Sequence, residues 1–140
     1  MNAMLRVMVD TNILIAGFVL LSKYIQNLVG FIEKNHTLVL PDYIISEFQK
    51  TAKRKFPKRY YLTELFLQVF PFETVYVPEN FEKEKFPAIR DIKDLPILVS
   101  AMIEDIDVLI TNDNDFRSLN IDRPEILKPY EFMKKYNNFT

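Results

Sequence analysis

The chain has 140 residues, of which 49% are hydrophobic, and its formal net charge is −1. This composition predicts one globular domain with a single core, and the near-neutral charge means that any nucleic-acid binding must come from local clusters of basic residues. Because the chain has no cysteine and only one histidine, His36, disulfides, thiolate nucleophiles, multi-histidine zinc sites and two-imidazole catalysis are excluded. No long uncharged apolar segment and no N-terminal leader are found, so we expect a cytoplasmic protein.

Short apolar runs alternate with segments of helical spacing along the chain. Strands are predicted at residues 5–9, 37–40, 73–77 and 107–110, with a weaker one at 125–127. Helices are predicted at residues 22–35, from 42 into a basic segment, at 63–70, from 94 onward and after 129. Ser22 and Asp42 are predicted to cap the first two of these helices. The alternation predicts a three-layer α/β/α sandwich around a mostly parallel sheet of about five strands.

Carboxylates occur where predicted strands end or predicted helices begin. Asp10 and Asp113 each follow a strand, Asp94 begins a helix, and Glu47 lies in the early turns of another. Because ligands bind at the carboxyl ends of the strands in such sheets, we expect these acids to converge there. Each acid alone has an ordinary explanation as a turn, cap or solvated helix residue. The prediction of a site therefore depends on their joint arrangement.

Converging carboxylates need a positive charge between them. Two carboxylates about 4 Å apart repel by roughly 4 kcal/mol at an effective dielectric constant near 20. With oxygen ligands only, and with no cysteine or nearby histidine, the ion that fits is Mg²⁺ or Mn²⁺. Such an ion also binds substrate phosphates, so the acids predict metal-assisted chemistry on a phosphate ester.

Four sequence segments occur in a fixed order between Val9 and Phe116: VDTNILI, SEF, RDIKDLPILVSAM and LITNDNDF. Together they resemble the PIN-domain nucleases, in particular the VapC-like toxin components of toxin–antitoxin systems. The resemblance implies a PIN-like fold, a metal-dependent endoribonuclease that uses Mg²⁺ or Mn²⁺, a cognate antitoxin, and a homodimer or higher homo-oligomer. Since metal-assisted hydrolysis makes no use of the ribose 2′-hydroxyl, RNA as the substrate rests on the resemblance alone.

The resemblance also assigns roles to individual residues. The catalytic acids are Asp10, as the central metal ligand, with Glu47, Asp94 and Asp113. The metal-ligand set adds Asp91 and Asp115. Supporting roles around the acids fall to Thr11, Asn12 and Thr111. The chain departs from the family pattern at Asn112, where glycine is usual, but asparagine tolerates left-handed backbone and we expect the turn to survive.

The basic segment, residues 50–61 with the sequence KTAKRKFPKRYY, supplies positive charge that the acids lack. It is either a surface that follows RNA phosphates and stacks bases, or a solvated helix face whose long side chains cover apolar surface. An antitoxin could use the same surface. The candidate RNA-binding residues are Lys50, Lys53, Arg54, Lys58, Arg59 and Tyr60. Pro57 is predicted to interrupt the helix, and His36 is assigned no catalytic role.

Other functions are compatible with parts of this pattern. A phosphatase of the haloacid dehalogenase type also has an aspartate after its first strand, but it needs a second aspartate where Asn12 stands. A response-regulator receiver domain needs a lysine and a phosphoacceptor aspartate at later strand ends, in an order that this chain lacks. The main alternative is a PIN-fold module that binds RNA or protein without catalysis. Loss of the acids would indicate such a module, and all four are present.

Overall fold

A computed structural model describes residues 4–77, 82–89 and 94–137 of the chain. The strands in these residues are β1 (Arg6–Val9), β2 (Thr37–Pro41), β3 (Glu73–Val75), β4 (Val108–Ile110) and β5 (Glu125–Leu127). The helices are α1 (Thr11–Phe18), α2 (Lys23–Asn35), α3 (Asp42–Lys55), α4 (Tyr60–Val69), α5 (Leu95–Ile103), α6 (Asn114–Arg117) and α7 (Pro129–Tyr136). Asp91, predicted as an additional metal ligand, lies outside the described residues.

All five strands form one parallel sheet in the order β3-β2-β1-β4-β5. Strand β1 is central: Val7 lies opposite Leu38 of β2 on one side and Val108 of β4 on the other. The chain builds outward from β1 to β3 and then returns to place β4 on the opposite side of β1. Ligands bind at such a reversal, outside the carboxyl ends of the strands. The fold confirms the predicted α/β sandwich and directs attention to the crevice between β1 and β4.

Apolar side chains cover both faces of the central strands. Val7, Met8 and Val9 of β1 are fully buried, and β4 is buried along its whole length. Burial on both faces explains why these strands read as continuous apolar runs and not as alternating patterns. Helix α5, with the sequence LPILVSAMI, is similarly apolar and buries six of its nine residues. This rigid core holds the loops at the carboxyl edge of the sheet.

No single helix in the described residues is long and apolar enough to cross a membrane. Helices α1 and α2 pass the test of length and composition only as a pair, and the chain bends by 114° between them. Gly17 in α1 permits close packing of this pair, because a Cβ atom there would lie 2.7 Å from Ile25 Cγ2 of α2. The bend and the close contact match two core helices folded against each other.

The local structure differs from the predicted elements at α1 and at Asp42, and the short helix α6 was also not predicted. Helix α1 begins directly after Asp10 and was not predicted, because its sequence TNILIAGF is apolar on nearly every side and shows no amphipathic period. The predicted cap at Asp42 is wrong: Pro41 occupies the N-cap position, and Asp42 Oδ1 accepts hydrogen bonds from the adjacent Tyr43 N at 2.8 Å and from Val77 N at 3.0 Å. The predicted cap at Ser22 is confirmed, since its hydroxyl accepts from Ile25 N at 3.3 Å.

Candidate metal site and nucleic-acid surface

Four helices begin near the crevice between β1 and β4, and each brings an acid to it. Asp10, Asp94 and Asp113 are the N-cap residues of α1, α5 and α6. Glu47 lies in the second turn of α3. Backbone N–H groups at the start of a helix favour negative charge, so these positions suit carboxylates that would otherwise repel one another. The fold thus brings together acids that lie far apart in the sequence.

The closest group of acids in the described residues is Asp94, Asp113 and Asp115. One carboxylate oxygen from each lies within 4.8 Å of the other two, and all three residues are half-buried. The backbone N–H of Asp115 donates to Asp113 Oδ1 at 2.9 Å, which orients the Asp113 side chain at the start of α6. A set of three converging carboxylates fits a hard divalent cation such as Mg²⁺ or Mn²⁺, because such ions prefer oxygen ligands.

Asp10 differs from this group in being buried and fully engaged with its neighbours. Only 7% of the residue is exposed. Its Oδ2 atom accepts a hydrogen bond from the Thr111 hydroxyl, and its Oδ1 atom accepts from Ile13 N at 3.1 Å. Burial raises the pKa of Asp10, the two hydrogen bonds oppose that effect, and the charges of Asp113 and Glu47 add to it. A bound cation would therefore stabilise the ionised form of Asp10.

Two threonines connect the acids to one another. The Thr111 hydroxyl donates to Asp10 and accepts from Asp113 N at 2.9 Å, so it joins the ends of β1 and β4. The Thr11 hydroxyl donates to Glu47 Oε1 and so joins the start of α1 to α3. The structure therefore places Glu47 beside the start of α1 and close enough to Asp10 for their charges to interact. Sequence reasoning missed this second link, because nothing in the sequence shows that Thr11 faces α3.

Two asparagines, Asn12 and Asn112, lie close in sequence to the acids of the site. Asn12 is exposed, and across residues 4–77, 82–89 and 94–137 its side chain forms no hydrogen bond with an acid. The supporting role assigned to Asn12 therefore stays a prediction. Asn112 is exposed and does not have a positive φ angle. The turn after β4 needs no glycine, which explains how asparagine is accommodated there.

The basic segment forms the end of α3, a turn of 3₁₀ helix at Pro57–Arg59, and the start of α4. Its basic side chains are exposed: Lys50, Lys53, Arg54, Lys55, Lys58 and Arg59. Two of them have local partners. Lys53 Nζ lies 5.6 Å from the centre of the Tyr60 ring, and Arg59 Nη1 donates to the carbonyl of Val19 at 3.0 Å. The predicted RNA-binding residues therefore differ in whether their side chains already contact a neighbouring group of the chain.

The PIN domain family model matches residues 7–121, a stretch that includes every acid described above. The chain belongs to the PIN domain family. Within this PIN domain, the four acids predicted to be catalytic lie in four different elements or their caps and meet at one edge of the sheet. The resemblance carried by the four sequence segments is confirmed. No curated protein sequence gives a significant match.

Solved structures of two VapC-containing proteins share the fold of this PIN domain. VapBC2 from Rickettsia felis, solved bound to a DNA fragment from its promoter, is 21% identical with a TM-score of 0.66. That match covers 88% of this chain and 97% of the other. VapC20 from Mycobacterium tuberculosis, a toxin that cleaves the sarcin–ricin loop, is 11% identical with a TM-score of 0.62 and matches 82% of this chain and 95% of its own. At these identities the likeness establishes the fold.

Proposed function

We propose that this PIN domain is a metal-dependent endoribonuclease and the toxin component of a toxin–antitoxin system. The observation that carries the proposal is the group formed by Asp94, Asp113 and Asp115, whose carboxylate oxygens lie within 4.8 Å of one another beside the buried Asp10. Three converging carboxylates are well suited to bind a divalent cation. Its position at the strand reversal is where α/β proteins bind ligands.

The residues that would hold Mg²⁺ or Mn²⁺ are Asp94, Asp113 and Asp115, together with Asp10 and Glu47 beside them. Asp91 stays a predicted ligand outside the described residues. When bound, a divalent ion in such a site lowers the pKa of a coordinated water and offsets negative charge on a phosphodiester. No side-chain nucleophile is needed, which agrees with a chain that lacks cysteine and places its only histidine elsewhere.

The chain itself supplies rigid placement of the carboxylates. Thr111 holds Asp10 with its hydroxyl proton and holds the loop of Asp113 with its oxygen lone pair. The Thr11 hydroxyl likewise donates a hydrogen bond to Glu47 and so orients that carboxylate. Because the threonines are neutral, they fix the acids without cancelling their charge. The carboxylates therefore keep their full attraction for a cation while their positions are restricted.

RNA as the substrate, and an antitoxin as the partner, are supported by the neighbours. VapC20 is a toxin that cleaves the sarcin–ricin loop. By the same resemblance we propose that this chain cleaves RNA to leave a 5′-phosphate and a 3′-hydroxyl, acts in the cytoplasm and is inhibited by a cognate antitoxin. A homodimer or higher homo-oligomer stays a prediction, which sedimentation of the purified chain would test.

The test is cleavage of mixed-sequence single-stranded RNA by the purified chain in Mg²⁺, in Mn²⁺ and in chelator, with analysis of the ends produced. Asp94→Asn should remove the metal-dependent activity. The matched control is Asp122→Asn, which removes the same charge from an exposed position away from the acids. Activity that survives Asp94→Asn would contradict the assigned site, because it would come from another nuclease.

The second candidate function is the binding module without catalysis. It would be favoured if the folded chain cut no RNA and gained no thermal stability from millimolar Mn²⁺. We rank it second because all three acids of the closest group are present and converge, whereas a non-catalytic module has no need to keep them together.

A further inference from the structure

The basic segment has two different sides once its helical register is known. Lys50 and Arg54 follow Glu47 by three and seven residues within α3. At 3.6 residues per turn, they lie roughly 60° and 20° around the helix axis from Glu47, whereas Lys53 lies roughly 120° away. Lys50 and Arg54 therefore extend the face of α3 that carries Glu47, and Lys53 lies on another.

That face of α3 is directed toward the acids. Ile44, Phe48 and Ala52 bury the neighbouring face of the helix in the core. Glu47 receives the Thr11 hydroxyl, and its charge raises the pKa of Asp10, so Glu47 points toward the crevice. With a rise of about 1.5 Å per residue, the Cα atoms of Lys50 and Arg54 lie roughly 4.5 and 10.5 Å farther along the helix than that of Glu47.

Within residues 4–77, 82–89 and 94–137, the positive charges on this face form no ion pair with a carboxylate, in contrast to the arginines near the sheet. Those arginines form ion pairs: Arg6 with Glu73, Arg117 with Glu131 and Arg123 with Asp107. Arg117 follows Asp115 by only two residues in the sequence. Its guanidinium nevertheless donates two hydrogen bonds to Glu131, at 2.7 and 3.2 Å, so it is already paired with another acid. Among the ion pairs of the described residues, none includes Lys50 or Arg54.

We propose, given the function proposed above, that Lys50 and Arg54 bind the RNA phosphodiester backbone beside the cleaved bond. A polyanion that approaches the acids is repelled by every carboxylate that the metal does not neutralise. Lys50 and Arg54 offset that repulsion at the entrance, and the guanidinium of Arg54 can hold a phosphate through two hydrogen bonds. They are substrate-binding residues and take no part in the bond cleavage.

Three other members of the segment, Lys53, Tyr60 and Arg59, have local contacts. Lys53 packs over the Tyr60 ring, and Arg59 bonds the carbonyl of Val19 at the end of α1. These contacts stabilise the connection between α3 and α4. The proposal therefore narrows six predicted RNA-binding residues to two, and it explains why two arginines so close in sequence, Arg54 and Arg59, have different tasks.

The test compares two double variants that each remove two positive charges from α3. Lys50→Gln/Arg54→Gln changes the proposed surface, and Lys53→Gln/Lys55→Gln is the matched control. RNA affinity is measured by fluorescence anisotropy of a labelled single-stranded RNA over a range of salt concentrations. Both double variants and their reference carry Asp94→Asn so that the RNA is not cut. Circular dichroism and thermal melting establish that all of them fold.

The first double variant should weaken RNA binding on the order of tenfold and reduce the slope of log affinity against log salt by about 1.4, as expected for two lost single-strand phosphate contacts. The control should change affinity by less than about twofold. Without Asp94→Asn, the first double variant should raise KM for RNA and leave kcat and the Mn²⁺-induced shift in melting temperature unchanged. An equal or larger loss of affinity in the control would overturn the proposal.

Failure of the proposed function would look different. Suppose that the unmodified chain cut no RNA, and that Lys50→Gln/Arg54→Gln weakened RNA binding whereas the control double variant did not. The nuclease proposal would then be wrong, and the proposed binding surface would stand. If RNA were cut and the first double variant bound it with unchanged affinity, the nuclease would stand and the surface would be wrong.

Discussion

The two ends of strand β4 carry the same side chain in opposite surroundings. Asp107, just before the strand, accepts hydrogen bonds from Arg6 N at 2.8 Å and from Arg123 Nη2 at 2.6 Å. Asp113, beyond the other end, has two further acids as its neighbours, with oxygens of all three within 4.8 Å. An aspartate at a strand end is therefore not a functional signal in itself. The partners that the fold places around it decide whether it is structural or able to bind a ligand.

Other acids at the amino and carboxyl edges of the sheet differ in the same way as Asp107 and Asp113. At the amino edge Glu73 pairs with Arg6, and Glu125 accepts hydrogen bonds from Lys135 and Tyr136. At the carboxyl edge the partners of Asp10 and Glu47 are threonine hydroxyls, which orient a carboxylate and leave its charge intact. A divalent cation is therefore expected at the carboxyl edge, where three carboxylates converge beside two more that accept hydrogen bonds from neutral hydroxyls.

The largest expected effect is on cleavage. Asp113→Asn should reduce RNA cleavage by roughly a thousandfold, since loss of a metal ligand removes several kcal/mol of transition-state stabilisation. Asp107→Asn should leave cleavage within about twofold and lower the free energy of unfolding by about 1 kcal/mol or less, as for an ordinary partly exposed ion pair. Single-turnover kinetics and urea unfolding of both variants measure the contrast. A similar loss of cleavage from both would abolish the distinction between the two edges.

The next effect is linkage between metal binding and folding. Mn²⁺ at one hundred times its Kd should add about 2.7 kcal/mol to the free energy of unfolding. Asp107→Asn should retain this gain, and Asp113→Asn should lose most of it. Thermal or urea unfolding with and without Mn²⁺ gives the values. An undiminished gain in Asp113→Asn would place the metal elsewhere on the chain.

A smaller effect is expected from the hydroxyl that joins β1 to β4. Thr111→Val should lower cleavage roughly tenfold to a hundredfold, in the range seen when groups that orient metal ligands are removed. Thr111→Ser keeps the hydroxyl and should retain most of the activity. Cleavage rates and the apparent affinity for Mn²⁺ distinguish the two variants. If serine were as damaging as valine, the threonine methyl packing would matter and the hydrogen bonds would not.

The smallest effects are the pH dependences of metal-free stability, which should have opposite signs at the two ends of β1. Because burial raises the pKa of Asp10 above 3.8 in the folded state, stability should fall as the pH rises above 3.8 and through the raised pKa. His36 is the reverse case: burial lowers its pKa below 6.5, and its Nδ1 accepts from Leu5 N at 3.0 Å. Its contribution is present above pH 6.5 and should be lost as the pH falls through the lowered pKa.

Urea unfolding in chelator across this pH range would measure both slopes. Asp10→Asn should remove the first one, and His36→Asn, which keeps an acceptor but cannot titrate, should remove the second. A slope of unchanged size in either variant would assign that pH dependence to another group.

Much of this arrangement could be predicted from the sequence because its signals are local. Asp10 is the first polar residue after the apolar run of β1, and the helical periodicity of α5 begins after Asp94. The acids at these two boundaries could therefore be identified directly from the sequence. The group at Asp113 and Asp115 follows a short apolar strand in the same way. Each of these predictions depends on a change in hydrophobic pattern over a few residues, which is the property that a single sequence records best.

The parts that could not be predicted depend on orientation between distant elements. The bond from Thr11 to Glu47 joins residues 36 positions apart, and that from Thr111 to Asp10 joins residues 101 apart. The cap assigned to Asp42 failed because Pro41 occupies the N-cap position, so Asp42 is the first helical residue. Its carboxylate accepts from Tyr43 N and from the backbone of Val77. The basic segment could be found as a charge cluster, but only the register of α3 shows which of its side chains share a face with Glu47.

The central place of β1 has a consequence for dynamics. With β2 on one side and β4 on the other, the amide hydrogens of Met8 and Val9 should exchange with solvent only when the whole domain unfolds. Asp10, whose N–H donates to Ile110 O at 3.3 Å, is attached to this slowest-exchanging part of the chain. Local fluctuations should therefore leave its carboxylate in place, and any control of the site by motion has to act through the peripheral helices that bring the other acids.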